Sequence, residues 1–179
     1  GGGSDLREFY SRSSGCVLST TINKYMYIFV HPYFDGRIQI KYSKTELVDR
    51  VEDIEHPIVR EVMKRFQLQG IDINSIADIP AGTGLGSSSS FTVGLLHVLY
   101  CYSSQIVDAE VLAREACDLE IEVLKEPIGK QDQYAAAYGG LNIIRFLEDE
   151  TVSVEPIPMD SDAYGRLQNN LLMFYTGTT

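Results

Sequence analysis

Residues 78–90, Asp78-Ile79-Pro80-Ala81-Gly82-Thr83-Gly84-Leu85-Gly86-Ser87-Ser88-Ser89-Ser90, set three glycines at alternate positions directly before a run of four serines. Such a stretch can hold a phosphate. Without a Cβ the backbone approaches an anion closely, successive amides can point inward, and the positive end of a following helix adds to the attraction. The hydroxyls of Ser87 to Ser90 then lie where phosphate oxygens or a bound Mg²⁺ would be. Candidate nucleotide contacts are therefore Pro80, Gly82, Thr83, Gly84, Leu85, Gly86, Ser87, Ser88 and Ser89. Two better-known phosphate motifs do not fit: no lysine follows Gly86, and the glycine spacing is not Gly-x-Gly-x-x-Gly. A solvated glycine-serine linker is the competing reading, and Leu85 with the apolar residues on both sides argues against it.

A second group of reactive types lies in Glu120-Ile121-Glu122-Val123-Leu124-Lys125-Glu126-Pro127-Ile128-Gly129-Lys130-Gln131-Asp132-Gln133. Transfer of a phosphoryl group to a hydroxyl needs a cation clamp on the phosphates and a carboxylate that orients or deprotonates the attacking oxygen. Two carboxylates separated by a helix end and a Pro/Gly turn can supply both. Asp132 also reads as the N-cap of an alanine-rich helix, and Glu120 has Asp118, Glu122 and Glu126 as acidic neighbours on a charged helix face. Lys130 enters as a phosphate contact by proximity. The third group is Gly1-Gly2-Gly3-Ser4-Asp5-Leu6, readable as a linker or as a glycine turn that presents the Asp5 carboxylate.

These groups need a scaffold, and the hydrophobic pattern predicts one of mixed type. Val, Ile, Thr and Tyr are frequent from Gly15 to Tyr42, predicting strands near 15–22, 24–31 and 37–42 with turns at His31-Pro32 and Asp35-Gly36. Tyr25, Tyr27 and Phe29 alternate with Met26, Ile28 and Val30, as in a strand engaged on both faces. A helix near 57–68 (Val59, Val62, Met63 and Phe66 inward) precedes a strand from Ile71 to Ile79 that feeds the glycine loop. From Ser87 to about Ser103 a helix buries the stripe Phe91, Leu95, Leu99 and Tyr102. The next starts at Asp108 as N-cap and runs to about Lys125, with Leu112, Ala116, Leu119 and Val123 inward. A short helix near 132–138 stops at Gly139-Gly140, and strands near 141–146, 151–156 and 170–176 follow. Strands adjacent in sequence argue α+β rather than an alternating parallel sheet.

With 179 residues, 44% of them apolar, the chain can build a sizeable core. A formal charge of −10 disfavours broad affinity for nucleic acid or an anionic membrane, so a phosphate must be held by local dipoles, a few cations and metal. Cys16, Cys101 and Cys117 are odd in number and lack metal-ligand spacing; two of them fall in apolar helical stretches, where a free thiol acts as a small hydrophobe. Together with the lack of an apolar run of about 18 residues, this leads to a cytoplasmic expectation, with no membrane partner. Opening on glycines rather than Met and closing on Leu171-Leu172-Met173-Phe174-Tyr175-Thr176-Gly177-Thr178-Thr179, the chain is expected to be truncated at both ends.

The glycine loop resembles the nucleotide-binding motif of the GHMP small-molecule kinases, Pro-x-x-x-Gly-Leu-Gly-Ser-Ser. The second segment resembles the galactokinase-type pattern Glu-(x)6-Pro-x-Gly-x-x-Asp-Gln, met here by Glu120, Pro127, Gly129, Asp132 and Gln133. This likeness implies ATP as phosphoryl donor, Mg²⁺ on Ser88 and Glu120, and Asp132 as catalytic base. The opening Gly-Gly-Gly-Ser-Asp-Leu resembles the first motif of the sugar-1-kinase branch, which makes Asp5, with Lys130, the candidate substrate contact. Taken with Leu-Ala-Arg-Glu-Ala-Cys and Lys-Glu-Pro-Ile-Gly-Lys-Gln-Asp-Gln-Tyr, these motifs resemble the branch acting on D-glycero-D-manno-heptose 7-phosphate. The implied fold is an N-terminal domain like domain 2 of ribosomal protein S5 over residues 1–165, then the start of a ferredoxin-like C-terminal domain over 166–179. The implied reaction phosphorylates the anomeric hydroxyl of the heptose 7-phosphate to the 1,7-bisphosphate, for nucleotide-activated heptose synthesis. Another sugar-1-kinase, fucokinase-like, and a noncatalytic nucleotide- or sugar-binding relative are the alternatives. Partners are then a sugar phosphate and ATP, with a homo-oligomer left open.

Overall fold

A computed structural model describes residues 3–80 and 82–174. Its first sheet is antiparallel, with strands Gly15–Thr20 (β1), Leu141–Phe146 (β6) and Val152–Pro156 (β7) in the order β1-β6-β7. Gly15 is required at the start of β1, because a Cβ there would collide with the Ser4 carbonyl, while the Ser4 hydroxyl donates to the Cys16 carbonyl at 3.0 Å. That contact folds the chain start over the sheet as one helical turn, Arg7–Tyr10 (α1), which the sequence pattern did not reveal. Tyr10 is buried there with Val17, Ala113, Cys117, Tyr134, Ile144 and Phe146 in a small second core.

The larger sheet has the order β2-β5-β3-β4, from Met26–Pro32 (β2), Ile38–Lys41 (β3), Thr45–Val48 (β4) and Ile71–Ala77 (β5). β3 and β5 run parallel and the other pairs antiparallel. A parallel pair needs a crossover, supplied by β4 and the helix Pro57–Phe66 (α2). Proline at its first position, the His56 ring accepting from the Val59 amide, and left-handed Gln67 after its last turn bound α2 sharply. Its Val59, Val62 and Met63 are fully buried, as their spacing predicted.

Ser87–Tyr102 (α3) is the central helix. Phe91, Thr92, Val93, Leu95, Leu96 and Leu99 are all buried, so it is covered on more than the single predicted stripe. Tyr102, expected inward, is exposed at its end. Ala109–Cys117 (α4) and Gln131–Tyr138 (α5) pack beside it. The predicted N-cap at Asp108 is present, with Oδ1 accepting from the Val111 amide.

Other expectations are corrected. β2 extends through His31 and Pro32, where a turn was expected, and β4 was not foreseen. Tyr25, Tyr27 and Phe29 are exposed, because they lie on the sheet face away from the helices, where Ile76 of β5 is exposed as well, and only Met26, Ile28 and Val30 turn to the core. The helix expected to reach Lys125 changes type: Asp118–Val123 is π-helical, and the Leu124 amide reaches back five residues to the Leu119 carbonyl. The wider turn puts Leu124 against the core and leaves Val123 exposed. Cys117 is buried, but Cys101, on the helix expected to bury it, is exposed. No strand forms in 170–174; the remainder of the expected strand lies outside the described residues, as do Gly1, Gly2 and Ala81. A helix Ser161–Asn169 (α6) lies instead across the expected domain boundary at 165/166, capped by Asp160 accepting from the Ala163 amide.

Candidate active site

Gly82, Gly84 and Gly86 have φ of 76°, 71° and 68°, the left-handed region that glycine occupies without strain. Gly86 also serves a close approach. A Cβ on it would lie 3.3 Å from the Asp132 carboxyl group, so the loop and the candidate base are in direct contact. At Gly82 and Gly84 a Cβ would meet nothing within 4 Å; the space beside them is open.

Gly84, Leu85, Gly86, Ser87, Ser90 and Asp132 line one cavity of about 270 Å³. Its other wall comes from the β1–β2 connection (Thr20, Thr21, Lys24, Tyr25) and from Ala135 and Ala136 of α5. Sequence reasoning missed this wall, since nothing in a strand-to-strand link of ordinary composition marks it as facing a loop 60 residues further on. Thr83, whose hydroxyl donates to the Pro80 carbonyl at 3.3 Å, closes the loop on itself.

Asp132 is not the N-cap of α5. It sits in the first turn, one residue inside, where the helix dipole still favours its charge. No hydrogen bond from the described residues reaches its carboxylate, which leaves both oxygens free to accept a proton. Burial, and then the charges of Asp5 and Glu120, raise its pKa above the ordinary carboxylate value.

Glu120 is buried at 1% exposure and its carboxylate is fully engaged. Oε1 accepts from Ser88 Oγ and Thr92 Oγ1, both at 3.0 Å; Oε2 accepts from Ser89 Oγ at 3.0 Å and Gln133 Nε2 at 2.5 Å. Glu120 continues the buried face of α4, three and four residues after Cys117 and Ala116, and Glu122 lies outside, where it pairs with Arg7 and Lys125. Glu120 thus ties the serine run of α3 to α5, and Gln133, whose Oε1 is buried without a partner, is the link that sequence reasoning quoted only as part of a motif.

Asp5 is buried, with Oδ2 accepting from the Gln131 amide at 3.2 Å and its carbonyl accepting from Lys130 N at 3.4 Å. Gly129 must be glycine, because a Cβ would collide with the Asp5 carboxylate. The chain start and the turn before Asp132 are therefore one interlocked unit. Asp5 and Lys130 line a second cavity of about 390 Å³ rather than the one beside the glycine loop. The Lys130 ammonium donates to the Glu150 carbonyl at 3.1 Å and lies 4.8 Å from the Tyr10 ring centroid.

Residues 54–140 match the family model of the GHMP kinases N terminal domain. The chain is 28% identical to D-glycero-alpha-D-manno-heptose 7-phosphate kinase of Campylobacter jejuni, over 100% of this chain and 57% of that protein. It is 33% identical over 116 residues to the galactokinase of Pyrococcus furiosus, covering 65% of this chain and 31% of the relative. Among solved structures, a D-glycero-D-manno-heptose 1-phosphate kinase from Bacteriodes thetaiotaomicron superposes with a TM-score of 0.81 at 31% identity, over 89% of this chain and 56% of that one. The chain spans little more than half the length of the first of these relatives and about a third of the second.

Proposed function

We propose that this chain, whose residues 54–140 are a GHMP kinase N-terminal domain, provides the phosphate cradle and catalytic base of an ATP-dependent sugar kinase. The observation that carries the reading is the contact between Gly86 of the loop and the Asp132 carboxyl group across a shared cavity. A nucleotide whose terminal phosphate lies on the loop would have that phosphate beside a carboxylate with no other partner. Asp132 then takes the proton of the sugar hydroxyl as its oxygen bonds to the γ-phosphorus, and the bond to the ADP oxygen breaks. A noncatalytic binding module has no use for a base held in this way.

Mg²⁺ is implied by the family, and the donor set suits it. Ser88 Oγ and Glu120 Oε1, now hydrogen-bonded to each other, are the hard oxygens that would hold it. Bound there, the ion would neutralise charge on the phosphates; Ser88 would turn its hydroxyl hydrogen away from Glu120, and Gln133, Ser89 and Thr92 would keep the carboxylate aimed. No helix of the described residues is long and apolar enough to cross a membrane.

For the acceptor we favour the anomeric hydroxyl of D-glycero-D-manno-heptose 7-phosphate, on the likeness to the Campylobacter jejuni kinase over the whole chain. Galactose or a related sugar is the second reading, supported by the shorter but closer match to a galactokinase. A kinase assay of the full-length protein over a panel of sugars and sugar phosphates, with the modified position read by ³¹P NMR, tests both. A product phosphorylated elsewhere than the anomeric oxygen rejects the heptose and galactose readings together.

A further inference from the structure

The glycine loop has no lysine of its own, and a chain of formal charge −10 repels a nucleotide's phosphates at long range. A side-chain cation beside any bound metal would help to hold them. Among the described residues, Lys24 is the one Arg or Lys that lines the loop cavity.

The six lysines of the chain sort cleanly. Lys41 pairs with Asp72, Lys44 with Glu55, Lys64 with Glu61 and Lys125 with Glu122, while the Lys130 ammonium is bound to the Glu150 carbonyl in the other cavity. Lys24 alone has no hydrogen-bond or ion-pair partner among the described residues. It is also the one held next to the loop.

Its position is fixed by the backbone on both sides. At one end of the β1–β2 connection the Thr21 amide donates to the Gly140 carbonyl at 3.0 Å, and the Gly140 amide returns a bond to Thr21 Oγ1 at 2.9 Å. At the other end the Tyr25 amide donates to Asp78 Oδ2 at 2.9 Å, and the Asp78 amide donates to the Tyr25 carbonyl at 3.0 Å. Gly140 closes the helix that carries Asp132, and Asp78 leads into the glycine loop. The connection is thereby fastened to the two segments that form the opposite wall, and Lys24 is presented between them with a flexible stem and a free ammonium.

We propose that Lys24 binds the phosphate groups of the nucleotide, supplying the positive charge that the loop itself lacks; the inference rests on the kinase reading of this cavity. An ammonium placed there would also stabilise the charge that spreads over the transferring phosphoryl oxygens, since Lys24 and Asp132 line the same cavity.

The test is calorimetric titration of the full-length protein with AMP, ADP and the nonhydrolysable analogue AMPPNP. Lys24→Met should weaken AMPPNP by about ten- to a hundred-fold, the range expected for losing a hydrogen bond to a charged group. The loss should shrink stepwise through ADP to AMP. Lys24→Arg should restore most of the affinity, and Lys64→Met, on the far helix α2, should change nothing. An equal loss for AMP and AMPPNP would mean that Lys24 only supports the fold, which overturns the proposal. Titration with heptose 7-phosphate alone separates the two sources of phosphate: a loss confined to the sugar phosphate also overturns the assignment. If Gly84→Val abolishes AMPPNP binding while Lys24→Met leaves it intact, the proposal fails and the kinase reading survives. If the unmodified protein binds no nucleotide, both fail.

Discussion

Asp132 combines exposure to a cavity, lack of internal partners and crowding by other carboxylates, and each of these bears on a measurable quantity. As general base it contributes about 10²–10⁴-fold, so Asp132→Asn should lower kcat of the full-length enzyme by about 10²-fold or more with AMPPNP affinity nearly unchanged. Turnover near that of the unmodified enzyme would remove Asp132 from the mechanism. Its raised pKa has a sign for stability as well. A carboxyl group whose folded-state pKa exceeds the unfolded value of about 3.9 favours the fold when protonated, and that advantage is lost as pH rises through the folded value. At neutral pH the ionised side chain thus works against folding, and Asp132→Asn should raise the melting temperature there, the gain disappearing below about pH 4. Equal melting temperatures at pH 7 would refute the crowding argument. At Gly84 the added side chain meets open space, so Gly84→Val should keep a folded protein, at a cost of about 1–3 kcal/mol for the positive φ, and lose AMPPNP binding.

Among the elements, the π-turn Asp118–Val123 carries both the inward carboxylate, Glu120, and the outward one, Glu122. Four donors from α3 and α5 converge on Glu120, and a buried donor left without an acceptor costs about 1–3 kcal/mol. Glu120→Ala should therefore destabilise the fold by about 3 kcal/mol or more, measured by urea unfolding. Glu122→Gln, on the exposed side in pairs with Arg7 and Lys125, should change stability by less than about 0.5 kcal/mol and leave the Mg²⁺ requirement alone. The reverse ranking would place the metal-facing carboxylate at Glu122.

Over the whole molecule, stability against acid depends on the junction of β4 and α2. Burial would raise the pKa of Glu46, but bonds from the Glu55 amide at 2.6 Å, the Tyr42 hydroxyl at 2.8 Å and the His56 amide at 3.1 Å outweigh it and hold the carboxyl below its ordinary value. Burial lowers the pKa of His56, whose neutral ring caps α2. Both depressed groups contribute stability that is present above their unfolded pKa values and lost as pH falls through the folded ones. The melting temperature should accordingly drop between about pH 6 and pH 3, and Glu46→Gln should flatten the part of that drop below about pH 5. An unchanged profile in Glu46→Gln would mean that other carboxylates govern acid unfolding.

The sequence by itself determined the local pieces: the positive-φ glycines of the loop, α2 with its proline start and apolar face, the Asp108 cap, and the Pro-x-Gly-x-x-Asp-Gln turn. Each is set by residues within a turn or two of one another, so backbone sterics and periodicity suffice to read them. Only the tertiary structure decided what those pieces face. Gly86 against Asp132, Gly129 against Asp5 and Lys24 across the cavity join residues tens of positions apart, and no local preference encodes such contacts. The outward turn of Val123 and the inward turn of Leu124 depend on one extra residue in a helix whose α-helical pattern puts Val123 inside. The exposure of Tyr25, Tyr27 and Phe29 follows from the helices covering only one face of the sheet, since an alternating apolar strand reads the same whether one face or both are packed.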